Sequence, residues 1–280
     1  MPAIELSSGT LDYTDTGGEG PTVVLVHGVA MDGTVWRHVV EELRDRYRVL
    51  VPTLPFGSHL RPMRAGADLS PDGMACLLGE FLEALDLTEV TLVQNDAATG
   101  MLLAVSGSPA AGRIARLVLA SVEAFDNFPP GLPGRAIWLA ARLPGGLAAC
   151  VAPLRFPALR RLPLAYGLMS KRTVPREITD RWTAPLLAGA EARRDLRAYL
   201  LGARPGRLQE AAVAAGSFER PVLVVWAAED RVMPLAHGRR LAALFPQGGY
   251  LEIPDSRTLI PEDQPNALAA AVADFAAGKP

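Results

Sequence analysis

The chain has 280 residues, 49% of them hydrophobic and 21% charged, with a formal net charge of −2. That length and apolar content suit one globular domain with a core large enough to house a pocket. The near-neutral charge, with no basic run interleaved with aromatics, excludes the electrostatic footprint of a nucleic-acid binder, so a small-molecule substrate is the expected partner.

The opening MPAIELSSG has neither a positive region nor an apolar stretch behind it. The most apolar tract, Trp138 to Phe156, is broken by Arg142, Pro144, two glycines and Pro153. A cytoplasmic protein with no membrane partner, present as a monomer or homodimer, is expected. Two cysteines, Cys76 and Cys150, are too few for a disulfide scaffold or a zinc cage. They are expected as small buried apolar groups, and neither a metal nor a cofactor is expected.

Along the chain, Ile4 to Leu6 and Thr10 to Thr14 read as short strands before the turn GGEGP. PTVVLVHG is an uninterrupted apolar run, as a strand covered on both faces requires. Residues 32 to 46 start with a capping Asp and set Val35, Val39, Val40 and Leu43 on one helical face. RVLVPTLP is the next strand, and SPDGMACLLGEFLEALDL opens with a Ser cap and Pro at the first helical position. Strand VTLV, helix AATGMLLAV and strand ARLVLAS follow.

Residues 123–208 interrupt this alternation with helical pieces rich in Pro, Gly, Leu and Arg, carrying Trp138, Tyr166, Trp182 and Tyr199. The rhythm resumes with PVLVVWAAED, helix PLAHGRRLAALF, strand GYLEI and helix NALAAAVADFAA. The pattern predicts an α/β fold, a mostly parallel twisted sheet with helices on both faces. Its core comprises residues 1–122 and 209–280, and 123–208 form a helical lid inserted after the sixth strand. Ligands of such sheets bind at the carboxyl ends of the strands, where His27, Thr53 to His59, Asp96, Glu123, Asp230 and Thr258 fall.

The ordered set VVLVHG, LVQNDAATG, WAAEDRVMP and IPDSRTLIPEDQP resembles the α/β-hydrolase fold superfamily over nearly the whole chain. The resemblance implies that amides near Val29 and Ala97 form an oxyanion hole and that His27 braces the loop beneath it. It implies a nucleophile elbow at Asp96 and a triad acid at Asp230, while Thr258 lands in the slot of the catalytic histidine. The elbow glycines of that family are replaced by Gln94 and Ala98.

A strand-to-helix turn exposes its side chain at the top of the sheet, although an Asp there also makes a good helix cap. Without an imidazole at Thr258, a covalent ester on Asp96 has no positioned base to cleave it, a loss of about 10² to 10⁴ in rate. His59 is the candidate substitute. Asp230 is expected to pair with Arg257 or Arg231, or to act as a second carboxylate in the pocket. His27, Glu123, Thr258, Trp138, Tyr166, Trp182 and Tyr199 are candidates to line it.

Val29 and Ala97 also stand where resembling haloalkane dehalogenases hold halide with Asn and Trp, and HGVA departs from the epoxide hydrolase pattern. Three functions remain. The first is non-hydrolytic acid/base chemistry (addition, elimination, isomerisation or cyclisation) on a bulky apolar molecule, such as an aromatic or polyketide-like secondary metabolite, with Asp96 as general base. The second is hydrolysis, with Asp96 as nucleophile or water activator. The third is ligand binding without turnover.

Overall fold

The computed structural model describes residues 2–204 and 206–278. Eight strands form one sheet in the order β1-β2-β4-β3-β5-β6-β7-β8. They are β1 (Ala3–Leu6), β2 (Gly9–Asp15), β3 (Thr22–Val26), β4 (Arg48–Pro52), β5 (Val90–Asp96), β6 (Ile114–Val122), β7 (Val222–Ala227) and β8 (Gly248–Ile253). The two N-terminal strands pair antiparallel, β2 joins β4 antiparallel, and every pairing from β4 to β8 is parallel.

Helices α1 (Arg37–Leu43), α2 (Pro71–Ala84) and α3 (Thr99–Ala104) connect the first half, and α4 (Gly131–Ala141), α5 (Gly146–Val151), α6 (Arg176–Ala188), α7 (Ala190–Gly202) and α8 (Arg207–Ala214) lie between β6 and β7. The chain ends with α9 (Leu235–Ala242), the short turn α10 (Ile260–Asp263) and α11 (Pro265–Ala276). No helix among the described residues is long and apolar enough to cross a membrane.

Local signals explain the element starts. The Asp32 carboxylate accepts the Thr34 amide, and Ser70 accepts the Gly73 amide with Pro71 at the first helical position. The predicted helix over 32 to 46 is split, with a tight 3₁₀ turn at Gly33–Trp36 before α1 begins. All seven residues of β5 are buried, as the centre of a parallel sheet covered on both faces requires. The cysteines depart from expectation. Cys76 is exposed on α2, because it lies opposite the face packed on the sheet, and Cys150 is partly exposed.

Strand order reverses between β3 and β5, so their carboxyl ends open the crevice in which ligands of such sheets bind. Register supplies the rest. Val26 of β3 is paired with Gln94 of β5, which sets Gly28 abreast of Asp96 two residues on. A register irregularity between Asn95 and Asp96 brings Asp96 opposite Val122, and the Glu123 amide then donates to the Asp96 carbonyl at 2.8 Å.

Candidate active site

Asp96 ends β5 with φ of 70°, a left-handed backbone that a residue with a Cβ adopts only at a cost of about 1–3 kcal/mol. The turn is held by the two side chains before it. Gln94 Nε2 donates to the Asn95 carbonyl at 3.0 Å while its Oε1 accepts the Gly100 amide at 3.1 Å, closing the elbow where the related pattern relies on glycine. Asn95 Nδ2 donates to the carbonyls of Ala120 and Thr258, at 2.7 and 2.8 Å, tying the turn to β6 and to the last loop. One glycine is indispensable here, since a Cβ built on Gly28 meets Asp96 Oδ2 at 2.1 Å.

The Asp96 carboxylate is not a helix cap. Ala98 takes the N-cap position of α3 without a side-chain bond, whereas Asp96 Oδ2 accepts the Val29 amide at 2.9 Å and its side chain borders a cavity. This cavity, about 100 Å³, lies between the sheet ends and the helical insertion, and its lining is mostly apolar, with Ile137, Leu154 and Met169 among the walls. Burial raises the Asp96 carboxyl to a pKa of about 7; the Val29 amide pulls it down and the negative charge of Asp230 pushes it up.

Glu123 borders the same space and is fully buried, its pKa driven well above the usual range first by burial and then by the Asp96 charge. The Tyr199 hydroxyl and the Ala98 amide face its carboxyl and oppose that shift. Tyr199, on α7, is itself held in the neutral phenol form by burial and by the two carboxylates. Around Asp96 the site therefore sets a carboxyl that titrates near neutrality beside a second one whose pKa burial also raises, the arrangement from which acid and base roles arise.

The other expected residues are dispersed. Asp230 Oδ1 accepts the amides of Val232 and Met233, at 2.9 and 2.8 Å, and the Thr258 hydroxyl at 2.7 Å; Oδ2 is buried without a partner. Neither Arg257 nor Arg231 pairs with it, because the Arg257 guanidinium donates to the Gly167 and Ser170 carbonyls instead. Thr258 is wholly buried on Asp230 and lines no part of the Asp96 cavity. His27 also lies beneath the surface: Nδ1–H donates to the Gly28 carbonyl at 2.8 Å, and Nε2 accepts the Leu54 amide at 3.0 Å. It lies under the loop and off the pocket wall, where the sequence placed it as a lining residue.

His59 is not brought to Asp96. Its Nδ1 accepts the Gly57 amide at 3.3 Å, so the proton sits on Nε2, which faces Asp195 Oδ2 of α7 at 3.1 Å. Both side chains are buried, and the pair joins the β4–α2 loop to the insertion. His38 and His237 lie on α1 and α9, and none of the four imidazoles lines the cavity. The Ala97 amide points back to the Asn95 carbonyl at 3.1 Å and the Val29 amide is engaged by Asp96, so neither expected oxyanion donor is free.

The alpha/beta hydrolase family pattern matches residues 23–271. The chain belongs to that family. Among curated proteins it is similar to haloalkane dehalogenase 2 of Mycobacterium tuberculosis, 28% identical over 281 residues covering 95% of this chain and 91% of the relative. It is also similar to a pimeloyl-[acyl-carrier protein] methyl ester esterase of Methylococcus capsulatus, 31% identical over 83% of this chain and 85% of the relative. Solved structures share the fold. A Burkholderia ambifaria alpha/beta hydrolase fold protein superposes with a TM-score of 0.78 at 24% identity, covering 98% of this chain and 97% of that one. A thermophilic esterase from Thermogutta terrifontis gives 0.73 at 22% identity, covering 99% of both.

Within this hydrolase-family chain the insertion's aromatics divide. Tyr166 lines the Asp96 cavity and its hydroxyl donates to the Ala30 carbonyl at 2.6 Å. Trp182 is fully buried, its indole N–H on the Thr34 hydroxyl at 2.8 Å, so it is core and not pocket wall. Trp138 faces a separate cavity of about 330 Å³ beyond Glu123 and Tyr199, with Arg142 stacked 3.5 Å over its ring. Tyr199, expected with the other aromatics of this segment as a cavity wall, borders both cavities.

Proposed function

We propose that the chain is an enzyme of the alpha/beta hydrolase superfamily that moves protons on an apolar small molecule, with Asp96 as general base and Glu123 as general acid. The observation that carries this reading is the Asp96 carboxyl at about pKa 7 on the floor of an apolar cavity that no imidazole lines. A base whose pKa matches the working pH combines a useful ionised fraction with driving force for abstraction. Glu123, whose burial favours the neutral acid, and the neutral Tyr199 phenol are the donors nearest a developing oxyanion, since the Val29 amide is committed to Asp96. Substrates that enolise, eliminate or cyclise need only these two proton transfers.

Size refines the substrate. The chamber beside Asp96 is of the order of the ~150 Å³ engineered cavity that admits benzene, so one aromatic ring fits it, rather than the bulky molecule expected from the sequence. Residues 123–208 act as a lid in this reading, and larger members of an aromatic or polyketide-like class enter only if its helices shift. The test is exchange from D₂O into carbon-acid and phenolic ligands of that class, followed by mass analysis. Exchange that needs Asp96 and leaves its carboxylate oxygens unlabelled in H₂¹⁸O is the expected outcome.

A second reading, hydrolysis through Asp96, is favoured by the likeness to a dehalogenase and an esterase. With Asp96 as nucleophile it requires an ester on Asp96 and ¹⁸O entering that carboxylate on a single turnover; with Asp96 as water activator the ¹⁸O enters the product instead. A labelled Asp96 overturns the proton-transfer assignment.

A further inference from the structure

Beside the insertion and the last loop lies an open cleft of about 480 Å³ whose charged lining is entirely basic: Arg160, Arg161, Lys171, Arg172, Arg176 and Arg257. In a chain of net charge −2 this concentration is not the average surface. Carboxylates reach only part of it. Asp180 takes Arg160 at 2.5 Å and Arg176 at 3.4 Å, and Glu229 and Asp255 take Lys171 at 2.6 and 2.5 Å, with Arg172 at 3.8 Å from Asp255. Buried Asp263 spends its oxygens on the Ser170 hydroxyl and on the backbone amides of Lys171, Arg172 and Arg257.

Six cations thus stand against at most four carboxylates, and Arg161 and Arg257 make no ion pair among the described residues. The Arg257 Nε is buried and has no acceptor, a donor awaiting one. Guanidinium forks match phosphate oxygens with paired, charge-assisted hydrogen bonds, and an excess of about two positive charges suits a dianion or trianion better than a single carboxylate. The cleft shares Tyr166 with the Asp96 cavity but is lined by none of its carboxyls.

We propose that this cleft is a binding site for a small molecule bearing a diphosphate, with Arg161, Arg172 and Arg257 as its principal anion contacts. The site is independent of the reaction at Asp96. Calorimetric titration of the whole chain with inorganic pyrophosphate at ~50 mM salt, where screening is modest, reads it directly. Submillimolar binding at one site per chain is expected, weakened at least tenfold in the double variant Arg161→Glu, Arg172→Glu, both exposed residues whose reversal should leave Tm unchanged.

The matched reversal Arg44→Glu, Arg46→Glu in the turn between α1 and β4, and Asp96→Asn in the cavity, should each leave the affinity within about twofold of the parent. Absence of binding, equal binding by the cleft variant, an equal loss in the turn control, or citrate binding as tightly as pyrophosphate overturns the assignment.

Discussion

At the residue scale, the proposed function rests on one side chain whose environment works against its charge. Replacing Asp96 with Asn keeps the shape and lets the amide oxygen accept the Val29 amide, while removing the base. Activity should fall by about 10² to 10⁴, the range typical of a lost general acid/base, with kcat affected more than KM. In the parent, kcat/KM should rise with pH through an inflection near 7, where Asp96 loses its proton. A flat profile from pH 5 to 9, measured with any turned-over ligand, speaks against that role. Gly28 is the companion case: Gly28→Ala places a methyl against the Asp96 carboxylate, so a displaced Asp96 and a stability loss of about 1–3 kcal/mol in urea titration are expected.

Between elements, the coupling that counts is the one joining insertion and sheet. Asp195 on α7 gathers the His59 Nε2, the Met63 amide at 2.9 Å and the Arg194 guanidinium at 2.7 Å, all around one buried carboxylate. Removing Asp195 leaves the buried His59 Nε2–H and the Met63 amide without their acceptor, which costs about 1–3 kcal/mol per orphaned group. Asp195→Ala should therefore loosen α7 and the β4–α2 loop together. Amide exchange should quicken around Gly57 and Met63 while β5 and β6 remain protected. His59→Gln, which keeps a donor toward Asp195, should be milder; equal damage from both would point to lost packing in place of lost hydrogen bonds.

For the whole molecule, the clustered carboxyls set the pH dependence of stability. An unfolded Asp titrates near 3.9, so with a folded value of about 7 the unfolded chain releases its proton first. The cost of burying Asp96 is absent below about pH 4, grows between 4 and 7, and is complete above, at about 4 kcal/mol. Glu123 and Asp230 are raised as well and add in the same direction. The depressed groups pull the other way: Asp15, Asp180, Asp255 and Glu210 through screened surface pairs, buried Asp195 through its hydrogen bonds, and the imidazoles of His27 and His237, which burial keeps neutral, as pH falls below about 6.5. Denaturant midpoints should thus decline from about pH 6.5 to pH 8, above the range in which the two imidazoles act, and Asp96→Asn should raise the midpoint at pH 8 while changing it little at pH 4. An unchanged midpoint at pH 8 would contradict the placement of a charged Asp96 in that cavity.

Much of this architecture was legible in one dimension, because strand and helix periodicity, caps and apolar runs are local properties. VVLVHG, VTLV and WAAED announced parallel strands, and the ordering of motifs set Asp96, Glu123 and Asp230 at strand ends. What one dimension could not carry was direction and distance. Whether His59 faced Asp96 depended on a loop folding back on α7, whose Asp195 lies 136 residues away. Thr258 and Trp182 looked like rim residues until packing turned one onto Asp230 and the other onto Thr34. The pKa of Asp96, the alliance of Glu123 with Tyr199 and the basic cleft all arise from groups distant in the chain and adjacent in space. Desolvation and Coulomb energy depend on that adjacency, so only the tertiary structure decided them.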